Sequence, residues 1–200
     1  MNKTALLVID LINEIIDEKG ALGPHGYTDF IKKNESLEKI NQLIDFCNAT
    51  GCAIPIFIRV EFSEDYREQL KNSPIFKDAD KFGLFKKNTW STQFHADLHI
   101  IDTDIVISKY RVSPFYGTNL KLILDDLKIE ELLICGVSTQ MAIESTVREA
   151  HDIGYSAIVI EDCCISSDEE VHNNSINNMK NFSEVLNLKT FLFKNNIKNI

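Results

Sequence analysis

With 200 residues, 44% of them apolar and 26% charged, the chain has the size and composition of one globular domain, residues 1–200, able to bury a sizeable core. Its formal net charge of −9 argues against nucleic acid, whose phosphates need clustered cations; here the cations are scattered, with Lys32-Lys33 and Lys86-Lys87 the only adjacent pairs. No run reaches the ~18 apolar residues of a membrane span, and the apolar start is broken by Asp10 and Glu14 without a small-residue cleavage site, so it reads as a strand rather than a signal peptide.

In chain order, residues 4–10 form a short apolar run ending in a carboxylate, the pattern of a buried strand. Leu37, Ile40, Leu43, Ile44 and Cys47 fall at helical spacing and predict a helix over 36–50, capped by Gly51. Residues 52–60 read as a second strand, with Pro55 tolerable near its start or at a sheet edge. Residues 61–103 are irregular, and a loop that long in a compact domain is usually a lid or a pocket wall. A third strand is expected over 104–110 and a helix over 118–127, with Thr118 as its N-cap and Leu120, Ile123, Leu124 and Leu127 on one face. A fourth strand over 131–137, a helix over 139–153 stopped by Gly154, and a fifth strand over 156–162 follow. An Asn-rich helix over 168–182, a short sixth strand in "EVLNL" and a last helix complete the pattern.

Strands that alternate with helices and are apolar throughout form a parallel sheet covered on both faces. Ligands bind such sheets beyond the carboxyl ends of the strands. Asp10, Lys109 and the turn over 136–142 all lie at such ends. Singly they have plain readings: a turn or capping aspartate, a lysine that snorkels to the surface. Together they suit a thiol. A lysine or a helix start lowers a thiol pKa, a carboxylate can take the thiol proton and return it to a leaving amine, and first-turn N–H groups can hold an oxyanion. Every part is present except the sulfur, because Ala142 stands where the nucleophile would be.

Three motifs carry a resemblance. "LLVIDLINEI" places Asp10 and Asn13, with Glu14 for a more usual Asp; "VISKYRVSPFYGTNL" places Lys109, Arg111, Ser113, Phe115, Thr118 and Leu120; "LLICGVSTQMAIESTVREAHDIGY" places Gly136, Val137, Thr139, Thr146, Ala150 and Gly154. In this order, from Leu6 to about His172, the chain resembles the isochorismatase-like cysteine hydrolases. The resemblance implies a three-layer, Rossmann-like α/β fold around a mostly parallel six-stranded sheet. It also implies an Asp–Lys–Cys triad acting on a C–N amide bond of a small molecule. Carried over by position, Asp10 is the general acid/base, Lys109 stabilises the thiolate and position 142 is the nucleophile. A non-proline cis peptide is implied at Val137–Ser138, aiming the N–H groups of Met141 and Ala142 into the pocket.

The alanine is the departure. Loss of the nucleophile from a comparable triad costs on the order of 10⁶ in rate, so the chain as written should be inactive in covalent hydrolysis. Two readings stay open: an engineered replacement of cysteine, or a natural departure that works through an Asp10-activated water or only binds a small molecule or a partner protein. A stand-in is disfavoured: Cys163 and Cys164, at the end of the fifth strand, lack the helix-start geometry, and Cys135 is inside a strand. Five cysteines without CxxC or zinc spacing read as buried, reduced thiols in a cytoplasmic protein.

The metal motif of the nicotinamidase branch, D-x-H with a further His, is missing from "IRVEFSEDY", and His95 and His99 have no partner set; neither metal nor cofactor is expected. Asn13, Val137, Ser138 and Met141 are candidates to bind the substrate or its oxyanion, and Trp90, Phe115 and Tyr116 are candidates for the pocket wall, with packing as the plain alternative. Arg59 and Arg111 are candidates to hold a carboxylate, or else surface ion pairs. The resemblance further implies a homo-oligomer.

Overall fold

The computed structural model describes residues 3–198. Six strands form one sheet in the order β3-β2-β1-β4-β5-β6: β1 Thr4–Ile9, β2 Ile54–Val60, β3 Ile105–Lys109, β4 Glu131–Val137, β5 Ser156–Ile165 and β6 Glu184–Leu186. Every pairing is parallel, where the resemblance implied a mostly parallel sheet. The helices are α1 Asn13–Ile16, α2 Thr28–Asn34, α3 Ser36–Thr50, α4 Ala79–Phe82, α5 Leu120–Asp126, α6 Glu144–Asp152, α7 Glu169–Met179 and α8 Leu188–Lys198. Among the described residues no helix is long and apolar enough to cross a membrane.

Alternation along the strands builds two cores. Leu6, Val8, Phe57, Leu133 and Cys135 pack on one face with Ile40, Leu43 and Ile44 of α3. Ala5, Leu7, Ile9, Ile56, Ile58, Leu132 and Ile134 pack on the other with Leu120 and Leu124 of α5 and Val147 and Ala150 of α6. β1 is buried from both sides, which is why its sequence is apolar without a break. The chain leaves β1 towards β2 and β3 and later returns to β4 on its other side, so a crevice opens between the carboxyl ends of β1 and β4.

Several elements differ from the sequence reading at their ends. β1 stops at Ile9 because Asp10 takes a left-handed conformation, φ 58°. Pro55 does keep an expected place near the start of its strand, as the second residue of β2, which is internal to the sheet. Thr118 does not cap the helix in the expected place: α5 starts at Leu120, whose N–H donates to the Thr118 hydroxyl at 3.1 Å. The helix expected over 139–153 is divided, with a wide π-type turn Thr139–Ile143 leading into α6. β5 continues to Ile165, placing Cys163 and Cys164 inside the strand. The irregular stretch contains α4 and a single turn Trp90–Thr92.

Candidate active site

Asp10 follows the end of β1 and Lys109 is the last residue of β3, strands separated by β2, so their backbones stand roughly two strand spacings, about 9–10 Å, apart. A lysine is long enough to close that gap. Its Nζ lies 2.6 Å from Asp10 Oδ2, and the two residues are 1% and 3% exposed. The same ammonium donates to the carbonyls of Val112 at 3.0 Å and Arg111 at 3.1 Å. Three partners occupy its three N–H groups, so Lys109 acts on anything in the crevice through its field rather than by direct donation. Asp10 is turned towards the lysine by its left-handed backbone, fixed by its N–H donating to the Ile58 carbonyl at 2.7 Å. Burial raises the Asp10 pKa, and the opposing pull of Lys109 does not cancel it. Asp10 Oδ1 has no protein partner among the described residues, and neither has the buried Ser138 Oγ.

The third side comes from β4. Gly136 has φ 122°, and a Cβ there would fall 2.2 Å from the Ile9 carbonyl oxygen, so only glycine lets the two strands close on each other. The Val137–Ser138 peptide that follows is cis. The π-type turn then sets Ala142 against the crevice, 4% exposed. The Met141 N–H corrects one expectation. It donates to the Ser138 carbonyl at 3.1 Å instead of facing the pocket, while the Met141 side chain still reaches the rim.

Asp10, Lys109, Val137, Ser138, Met141 and Ala142 thus line one cavity of about 80 Å³. Its remaining wall is apolar and aromatic: Ile15, Leu22, Tyr27, Val60, Ile75, Phe76, Phe85 and Val112. The stretch 61–103, expected as a lid or pocket wall, supplies Ile75, Phe76 and Phe85, but the sequence reading singled out none of these residues and missed Leu22 and Tyr27. The signal that could have found them is Glu14, a buried carboxylate whose two oxygens accept from Ala21 N–H at 3.1 Å and Phe85 N–H at 3.3 Å and so draw both wall segments to α1.

Four expected residues lie elsewhere. Asn13 is buried but donates to the Trp90 carbonyl at 2.9 Å, pinning the loop. The Trp90 ring is outside the cavity and 44% exposed. Phe115 packs in the core beneath α5 and α6 and stacks on Tyr155, with ring centroids 6.2 Å apart. Tyr116 is exposed and lies against the Arg111 guanidinium. Neither arginine lines the cavity: Arg111 donates to the Glu68 and Tyr110 carbonyls, and Arg59 pairs with Glu61 at 3.3 Å. Among the described residues no cluster of ligating side chains could hold a metal, and His99 pairs instead with Asp45 at 3.0 Å. Cys135, Cys163 and Cys164 are fully buried, away from the cavity, and burial pushes their thiols up; Cys52, only half-buried, departs from the expectation of buried thiols.

An isochorismatase domain model matches residues 4–190. YecD of Escherichia coli O157:H7, an uncharacterized isochorismatase family protein, is 37% identical over 177 residues, covering 88% of this chain and 87% of the relative. The ureidoacrylate amidohydrolase RutB of Acinetobacter baylyi is 28% identical over 193 residues, 90% of this chain and 78% of its own length. The crystal structure of an isochorismatase family protein from Desulfovibrio vulgaris matches with a TM-score of 0.85 at 21% identity, over 96% of this chain and 97% of that one.

Proposed function

The chain belongs to the isochorismatase family of hydrolases, and on that premise we propose that the cavity at Asp10, Lys109 and Ala142 receives the carbonyl of a small, uncharged amide. The observation that carries this reading is the buried 2.6 Å Asp10–Lys109 pair on the same wall as Ala142. The two charges offset each other, and Arg59 and Arg111 lie outside the lining, so the cavity offers no unpaired cation to a carboxylate-bearing ligand. The apolar wall suits a small aliphatic or aromatic group, and the orphaned Ser138 hydroxyl and Asp10 Oδ1 supply hydrogen bonds at the amide end.

With alanine at 142 the chain binds such an amide without forming an acyl-enzyme. With cysteine there, the sulfur would extend one bond beyond the present Cβ. Asp10, its pKa raised by burial, would take the thiol proton while Lys109 favours the thiolate. Attack on the carbonyl carbon then gives a tetrahedral oxyanion. Collapse breaks the C–N bond, the amine leaves with the proton from Asp10, and a thioester remains. Asp10 next takes a proton from water, which hydrolyses the thioester and restores the thiol.

The test is Ala142→Cys assayed on a panel of neutral amides and their carboxylate-bearing analogues. Turnover confined to the neutral amides is the expected result, with the unaltered chain binding them and not turning them over. No turnover of any amide, together with no fast thiol labelling at position 142, would contradict the reading.

A further inference from the structure

Five cysteines are present, and two of them meet away from the cavity. Cys47 ends the buried stripe of α3, one turn before the helix stops. Gly51, at φ 65°, donates its N–H to the Cys47 carbonyl at 2.8 Å and reverses the chain over the last helical turn. That reversal brings Cys52 back onto Cys47, with the sulfurs 3.8 Å apart. Cys47 is fully buried and Cys52 half-buried, so one sulfur is reachable from outside and the other waits behind it. We propose that Cys47 and Cys52 form a dithiol site that a hydrogen-peroxide-type oxidant closes to a disulfide across the end of α3.

The chemistry balances in two steps. The Cys52 thiolate attacks one peroxide oxygen, the O–O bond breaks, and the departing hydroxide takes up the proton released when the thiol ionised and leaves as water, giving a sulfenic acid on Cys52. The Cys47 sulfur then attacks the Cys52 sulfur, an S–S bond forms, the S–O bond breaks, and the hydroxyl leaves as water with the Cys47 proton. The two sulfurs lose two electrons and the peroxide gains them. Closing the bond from 3.8 Å to ~2.05 Å needs side-chain rotation at the helix end, not a rearrangement of the sheet. The division of roles follows the environment: the side-chain contact with Cys47 lowers the Cys52 pKa to about 6, against the effect of its partial burial, while the same contact and burial push the Cys47 thiol up. The inference does not depend on the amide reading.

Cleavage after lysine and arginine leaves both cysteines on one peptide, residues 40–59. The native protein, freed of reductant, is treated with hydrogen peroxide, denatured and alkylated. The expected result is loss of two of the five thiols, with peptide 40–59 lighter by two hydrogens, free of alkyl groups and restored by dithiothreitol. In Cys47→Ala the reaction should stop at a Cys52 sulfenic acid that dimedone traps, and Cys52→Ser should keep all its remaining thiols. The proposal is overturned if peptide 40–59 keeps two alkylatable thiols, if Cys52 passes to sulfinic acid while Cys47 stays free, or if the bridge forms to Cys135 or Cys163.

Discussion

The two sides of the cavity are held in different ways. Asp10, Lys109, Val137 and Ser138 sit at or just past the ends of β1, β3 and β4, where the sheet ladder fixes the backbone, on both sides for β1 and β4 and on one side for the edge strand β3. Leu22, Tyr27, Ile75, Phe76 and Phe85 come from connections outside the sheet, drawn in by a few bonds such as those of Glu14. The difference separates two tasks. Charges that must stay aligned to fractions of an ångström are on the rigid side, and the surface that selects a ligand's shape is on the side that can vary without disturbing them.

The largest effect expected from breaking the rigid side is that of Lys109→Met. It leaves Asp10 buried without its counter-charge, which should lower stability by about 3–5 kcal/mol at neutral pH. The loss should shrink in acid as Asp10 takes up a proton, and denaturant unfolding at several pH values checks both parts. A smaller effect concerns Asp10 itself. Because its folded-state pKa is raised, its contribution to stability is full below the ordinary value of 3.8 and is lost as pH rises through the folded-state pKa. Measured against Asp10→Asn, the unaltered chain should therefore lose relative stability across that window. A wild-type margin that grows with pH would contradict the burial argument.

The strand-end side was also the side legible in the sequence. An apolar run that ends in a buried charge can be read without coordinates, and "VID" and "VISK" both do so. The parallel sheet and the helix over 36–50 follow from the same periodicity. The wall was legible only as a region: the stretch 61–103, read as a lid or pocket wall, supplies Ile75, Phe76 and Phe85, but which residues turn inward is set by tertiary contacts from Glu14 and Asn13 rather than by local pattern. Phe115 and Tyr116 show the limit: their neighbourhood in sequence to Lys109 says nothing about which way each ring turns, and one went to the core and the other to solvent.

The variable side should give the smallest changes in stability. Ile75→Ala, at a half-exposed rim position, should alter stability by no more than about 0.5 kcal/mol. The same substitution should weaken amide binding by about 1 kcal/mol, the value of a buried methylene or so. Trp90→Ala, outside the cavity, should leave amide affinity unchanged. Calorimetric titration of both variants with one neutral amide separates wall from loop.

The most direct measurement is the pH profile of iodoacetamide labelling at position 142 in folded Ala142→Cys, read by peptide mapping, with and without Lys109→Met. The account predicts half-maximal reactivity well below the ~8.5 of a free thiol, returning towards that value when the lysine is removed. Identical profiles at the ordinary thiol value would mean that Asp10, Lys109 and position 142 share a cavity but not a chemistry.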